Sequence, residues 1–77
     1  MLITEVKKDK LGHALGLKPG SRLLKINGKR VIDELDYKFR ITAPEIEIEI
    51  ESNGKRKIFS IEKDIDTDLD VIFEELK

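Results

Sequence analysis

A small α+β domain with five or six strands and two helices is the fold class this sequence predicts, and three features carry it. Residues Glu45 to Glu51 read Glu-Ile-Glu-Ile-Glu-Ile-Glu, a strict period-two alternation, and Asn53-Gly54 follows as a two-residue hairpin turn. Ser21 to Ile26 is a second apolar run, and it too ends in an Asn-Gly pair, Asn27-Gly28. Between these two hairpin signals lies a helix with both ends marked, by Asp33 as N-cap and by Pro44 as stop.

The elements follow in order. Leu2, Thr4 and Val6 alternate with Ile3 and Glu5 as a first strand. Lys10 to Leu17 forms one or two helical turns closed by Gly16, whose missing Cβ suits the left-handed conformation. Pro19-Gly20 presets the tight turn into the Ser21–Ile26 strand, and Asn27-Gly28 turns that strand into a short partner at Lys29–Ile32. Behind Asp33, Leu35 and Phe39 sit four apart on one helix face and are expected in the core. Glu34–Lys38 and Asp36–Arg40 are expected as ion pairs on the other face. Tyr37 is expected either to line a groove beside this helix or to be partly buried, with its hydroxyl in water.

In the second half, Ile46, Ile48 and Ile50 share one sheet face and four glutamates form a solvated stripe on the other. The Asn53-Gly54 turn then sets the register: Ser52 opposite Lys55, Glu51 opposite Arg56, Ile48 opposite Phe59 and Ile46 opposite Ile61. Leu69 to Phe73 is the last strand.

Composition narrows the function classes. The 77 residues make one domain, 1–77, near the lower limit for a self-supporting core. The absence of cysteine excludes disulfides, thiolate zinc sites and iron–sulfur ligation within the chain. The opening MLITEVKKDK has no apolar leader and no run reaches a membrane span, so a soluble cytoplasmic protein without a membrane partner is expected. The net charge of −1 conceals an asymmetry: residues 1–31 carry +6, residues 32–63 carry −2 and residues 64–77 carry −5. A basic half of this kind can bind nucleic acid, but it holds no aromatic residue for stacking and the acidic tail cancels its field. The expectation is no nucleic-acid partner, with the two ends of the chain lying side by side.

Two motifs carry a sharper chemical reading. Asp64, Asp66, Asp68, Asp70, Val71 and Glu75 fit calcium-loop positions 1, 3, 5, 7, 8 and 12. Leu69 occupies the position that needs glycine, and Lys57 to Glu62 alternate as a strand where the entering helix should be. An acidic loop leading into the last strand is the reading, with weak calcium binding a lesser alternative. His13 is the single histidine and no nucleophile–base set assembles around it, so an exposed place on the short helix is expected. No catalytic residue, metal ligand or cofactor site is expected, and the protein is not expected to be an enzyme.

The run Ala14-Leu15-Gly16-Leu17-Lys18-Pro19-Gly20-Ser21-Arg22-Leu23-Leu24-Lys25-Ile26-Asn27-Gly28 resembles bacterial PDZ domains, whose pattern is Ala-x-x-GLxxGD-x-Ile-x-x-Ile-Asn-Gly. Ser21 stands where that family usually has Asp, and either side chain can cap the turn. The resemblance implies a circularly permuted, PDZ-like partial β-barrel whose first strand lies beside its last. It also implies a peptide groove between the Leu69–Phe73 strand and the Asp33–Thr42 helix. Leu69, Asp70, Val71, Ile72, Phe73, Leu35, Lys38 and Phe39 would then bind a peptide segment or a neighbouring domain, with Leu69-Asp70-Val71-Ile72 in place of the carboxylate-binding loop. Relatives often have Gly where Asp70 stands, and the like charge of Asp66, Asp68 and Asp70 disfavours a free C-terminus there.

More narrowly, Asp36-Tyr37-Lys38-Phe39, the acidic hairpin and the run Asp66-x-Asp68-Leu69-x-Val71-x-Phe73-Glu74 resemble the N-terminal PDZ-like unit of a family of bacterial radical-SAM-type iron–sulfur proteins. That likeness implies the alternative of a regulatory domain belonging to such an enzyme, with the cluster cysteines following it.

Overall fold

Alternation at Glu45–Glu51 produces the longest ladder in the molecule. The computed structural model describes residues 1–74, and in it β4 (Glu45–Ser52) and β5 (Lys55–Glu62) pair over their whole lengths. All four expected register pairs are present. Asn53 and Gly54 both take positive φ, 53° and 76°, as a tight hairpin turn demands. The second Asn-Gly pair does the same at 51° and 74°, joining β2 (Arg22–Ile26) to a β3 (Lys29–Arg30) that is shorter than expected. Val31 leaves the strand to enter the core and Ile32 stays exposed.

The remaining elements are β1 (Ile3–Val6), α1 (Leu11–Ala14), α2 (Glu34–Ile41) and β6 (Val71–Phe73). They assemble as a four-stranded antiparallel sheet in the order β3-β2-β4-β5 and a two-stranded sheet β1-β6. The first strand therefore lies beside the last, as expected. It also links the sheets: Ile3 donates to Ser21 and accepts from Gly20, while Leu23 donates to Met1. The result is a small α+β fold with two unclosed antiparallel sheets.

Ile46, Ile48 and Ile50 from β4 fill the core together with Ile3, Leu23, Ile26, Leu69 and Phe73. The helix face that joins them is not the expected one. Tyr37 and Ile41 are buried, whereas Leu35 and Phe39 are 81% and 79% exposed. Two apolar pairs spaced by four residues compete for the core on this helix. Because they are offset by two residues, or about 200°, only one can face inward.

Other expectations are corrected by the same rotation. Lys38 reaches Asp68 at 2.8 Å instead of pairing with Glu34, while Asp36–Arg40 forms as expected at 2.8 Å. Among the glutamates, Glu45 and Glu47 are exposed, but Glu49 and Glu51 are half-covered by Arg56, 3.9 Å from each. Glu49 Oε2 is buried with no hydrogen-bond partner among the described residues. The turn before β2 is closed through the main chain, Ser21 N–H donating to Lys18 O at 3.1 Å, with no side-chain cap from Ser21 among the described residues.

Helix ends follow their signals. Asp33 Oδ1 accepts from Asp36 N–H at 2.7 Å, and Asp36 Oδ2 accepts from Ile32 N–H at 3.1 Å, a reciprocal cap. At α1, Gly16 ends the turn at φ 84°. Gly12 has a different role. A Cβ there would stand 2.8 Å from the Leu69 carbonyl, to which Gly12 N–H already donates at 2.9 Å.

These placements make two stability predictions. Gly12→Ala forces α1 off the Leu69 carbonyl and lowers stability by about 1–3 kcal/mol in urea titration, the range for overpacking a tight contact. The Leu35→Ser and Phe39→Ser variants stay within about 0.5 kcal/mol of the parent, as exposed positions do.

Candidate functional site

A strand with one open edge is the most chemically available backbone in a folded domain. At the two ends of β6, the Asp70 carbonyl accepts from the Lys7 N–H and the Glu74 N–H donates to the Leu2 carbonyl, on the β1 side. Main-chain groups alternate in direction along a strand, so those of Val71 and Phe73 point the other way. On that side β6 has no strand partner among the described residues and faces α2.

The space between them is a cleft of about 170 Å³ lined by Glu34, Tyr37, Lys38, Val71, Ile72 and Phe73. Of the expected site residues, Val71, Ile72, Phe73 and Lys38 meet there. Leu69 is fully buried beneath it, and Asp70 sits in the turn that leads in. Leu35 and Phe39 do not line it and lie on the outward face of α2.

One carboxylate sets the spacing of the walls. Asp68 Oδ1 accepts from the Tyr37 hydroxyl at 2.6 Å and from the Asp70 N–H at 3.0 Å, while Oδ2 accepts from Lys38 Nζ at 2.8 Å. The Tyr37 ring in turn meets Phe73 edge-on at 4.9 Å. Helix, loop and strand thus converge on Asp68. The Tyr37 hydroxyl, expected in water, is instead the buried link.

The electrostatics follow from that geometry. Burial raises the Asp68 carboxyl, but the bonds from Lys38, Tyr37 and Asp70 N–H outweigh it and hold it below the usual carboxylate range. Burial, then the bond to Asp68, drives the Tyr37 phenol far above its ordinary value. The bond to Asp68 also raises the Lys38 ammonium. Since the Lys38 side chain is 65% exposed, its pair is worth no more than about 1 kcal/mol. The Tyr37 bond, within the core, is the stronger tie.

Asp70 has φ 57°, the left-handed region where glycine is most at ease. Its N–H bond to the Asp68 side chain makes the local turn that holds it there. The calcium spacing does not survive this fold as a cage. Asp68 is committed to α2, Leu69 is buried, and Glu75 lies outside the described residues. Among the described residues no group of three or more acidic or histidine side chains converges as a metal site. His13 is exposed, as expected.

A scan against protein-family models finds no match to the chain, and a search of curated proteins finds none either.

The Asp68 carboxylate carries a pH signature. Its folded pKa lies below the unfolded value of about 3.9. The unfolded state therefore binds more protons in that interval, and the stability gained is complete above it and lost as the pH falls through the folded value. Asp36, lowered first by the Ile32 N–H, adds to the same limb. Asp68→Asn is expected to lower stability at pH 7 by about 2–3 kcal/mol and to leave a shallower acid limb from Asp36 and the rest. Thermal unfolding followed from pH 7 to pH 2 checks both.

Proposed function

We propose that the chain is a non-catalytic, PDZ-like interaction module that takes an extended segment of a protein partner as an added strand on the free edge of β6, against α2. The observation that carries this reading is the unpaired main chain of Val71 and Phe73 facing the cleft under Tyr37 and Lys38. Strand addition needs an open edge, a wall to hold side chains and a fixed distance between them. β6, α2 and the Asp68 bonds supply these in turn.

Charge selects the occupant. The Lys38 ammonium is already engaged by Asp68, which leaves Glu34 as the unpaired charge lining the cleft among the described residues, with Asp70 and Glu74 at the two ends of β6. A basic or internal segment suits such an edge, and a terminal carboxylate does not. Leu35 and Phe39, four apart, add an exposed apolar pair on the outward face of α2, and Ile32 is exposed just ahead of that helix. These side chains favour a folded occupant, such as a neighbouring domain of a longer protein, over a bare peptide. A regulatory role beside an iron–sulfur enzyme is one form such a protein could take.

An end-blocked peptide alternating valine and lysine, titrated into the protein, is expected to shift the amides of Val71, Phe73 and Lys38. The same peptide with a free C-terminal carboxylate binds more weakly. Asp70→Gly removes both the charge and the Cβ and narrows that difference by about tenfold. Unchanged amides at β6 and α2 with every peptide would sink the reading.

A further inference from the structure

A longer open edge belongs to the four-stranded sheet, at β5. The eight-residue β5 pairs with β4 alone. Lys55 faces Ser52 across the hairpin turn as a hydrogen-bonded pair, so the N–H and C=O groups of Lys55, Lys57, Phe59 and Ile61 turn to β4. Those of Arg56, Ile58 and Ser60 turn outward and have no strand to meet.

The side chains beside this edge are unusual for their place. Lys57 stands opposite Ile50, and Lys55 and Phe59 share its face, so two lysines occupy the stripe that elsewhere faces the core. They border a cavity of about 490 Å³ to which Lys18, from the corner after α1, adds a third ammonium. Its apolar lining includes Leu15, Leu17 and Phe59, and among the described residues no carboxylate lines it. Among the described residues none of the three lysines is in an ion pair. On the other face of β5, Ile58 is 59% exposed.

Inward lysines can act simply as guards that keep an edge strand from pairing. A guard needs charge on the strand itself. It gives no reason for Lys18 to converge from a separate element, nor for a cavity with an apolar lining between the three. We propose that the β5 edge is a docking site for an acidic extended peptide. Its glutamates reach inward to Lys18, Lys55 and Lys57, with their stems on Leu15, Leu17 and Phe59. Its alternate apolar residues cover Ile58, and its backbone bonds Arg56, Ile58 and Ser60.

Charge complementarity selects this occupant. A second copy of the chain would bring its own Lys55, Arg56 and Lys57 to an already basic edge. The surface is distinct from β6 and α2 and opposite in charge preference, so the domain would bridge two segments at once.

The experiment is a titration with an end-blocked peptide alternating glutamate and leucine, read by amide shifts and hydrogen exchange. Shifts at Lys18 and along Lys55–Ser60, with slowed exchange at Arg56, Ile58 and Ser60, are expected. The exposed double substitution Lys18→Glu and Lys57→Glu should weaken binding about tenfold, as should raised salt. The conservative Lys57→Arg keeps it. Equal binding of a lysine–leucine peptide, or affinity indifferent to the double substitution, would overturn the proposal. So would a β5 edge already covered by self-association in sedimentation. Failure here leaves Val71 and Phe73 free to respond to their own basic probe, so the two readings are separable.

Discussion

Asp68 holds the molecule's working parts in place. Its carboxylate is the one group that touches α2 twice, through Tyr37 and Lys38, and the loop before β6 once, through the Asp70 N–H. Remove it and Tyr37 loses the acceptor for a buried hydroxyl, a cost that falls on the helix and the strand together. The aromatic contact of Tyr37 with Phe73 would still draw the elements together, but without fixing their separation. A cleft can select a strand only if its width is set in advance, because ordering it on binding would consume the affinity gained.

Charge differs between the two edges proposed for partners, β6 and β5. The −1 net charge of the chain suggests an indifferent surface. The fold instead sorts the charges. Glu34 and Asp70 flank β6, and Lys18, Lys55 and Lys57 flank β5. An edge strand left open invites self-pairing, and opposite charge on two edges adds to that attraction. The three-residue β6 lies against α2 and the eight-residue β5 is bordered by lysines, so the two proposed sites would ask for different partners.

Much of the fold is legible in the sequence because it rests on local chemistry. Asn53-Gly54 and Asn27-Gly28 can each take positive φ, and alternation then leaves one register for β4 and β5. The Asp33 cap and Pro44 stop bound α2 for reasons contained within a few residues. The candidate site is legible only in part. Val71 to Phe73 announce a strand, but which face of α2 meets it does not follow from spacing, since Leu35–Phe39 and Tyr37–Ile41 are equally periodic. The deciding partner of Tyr37 is Asp68, 31 positions away. Gly12 was unmarked for a similar reason, since the carbonyl it must approach belongs to Leu69. Asp70 sits at φ 57°, a conformation held by its bond to the Asp68 side chain.

Hydrogen exchange of the free protein, resolved residue by residue along β6, tests the open edge most directly. The account requires that the amides of Lys7 and Glu74, bonded across β1 and β6, exchange slowly, while those of Val71 and Phe73 exchange markedly faster. Equal protection of all four would contradict it, because the edge proposed for strand addition would then already be occupied.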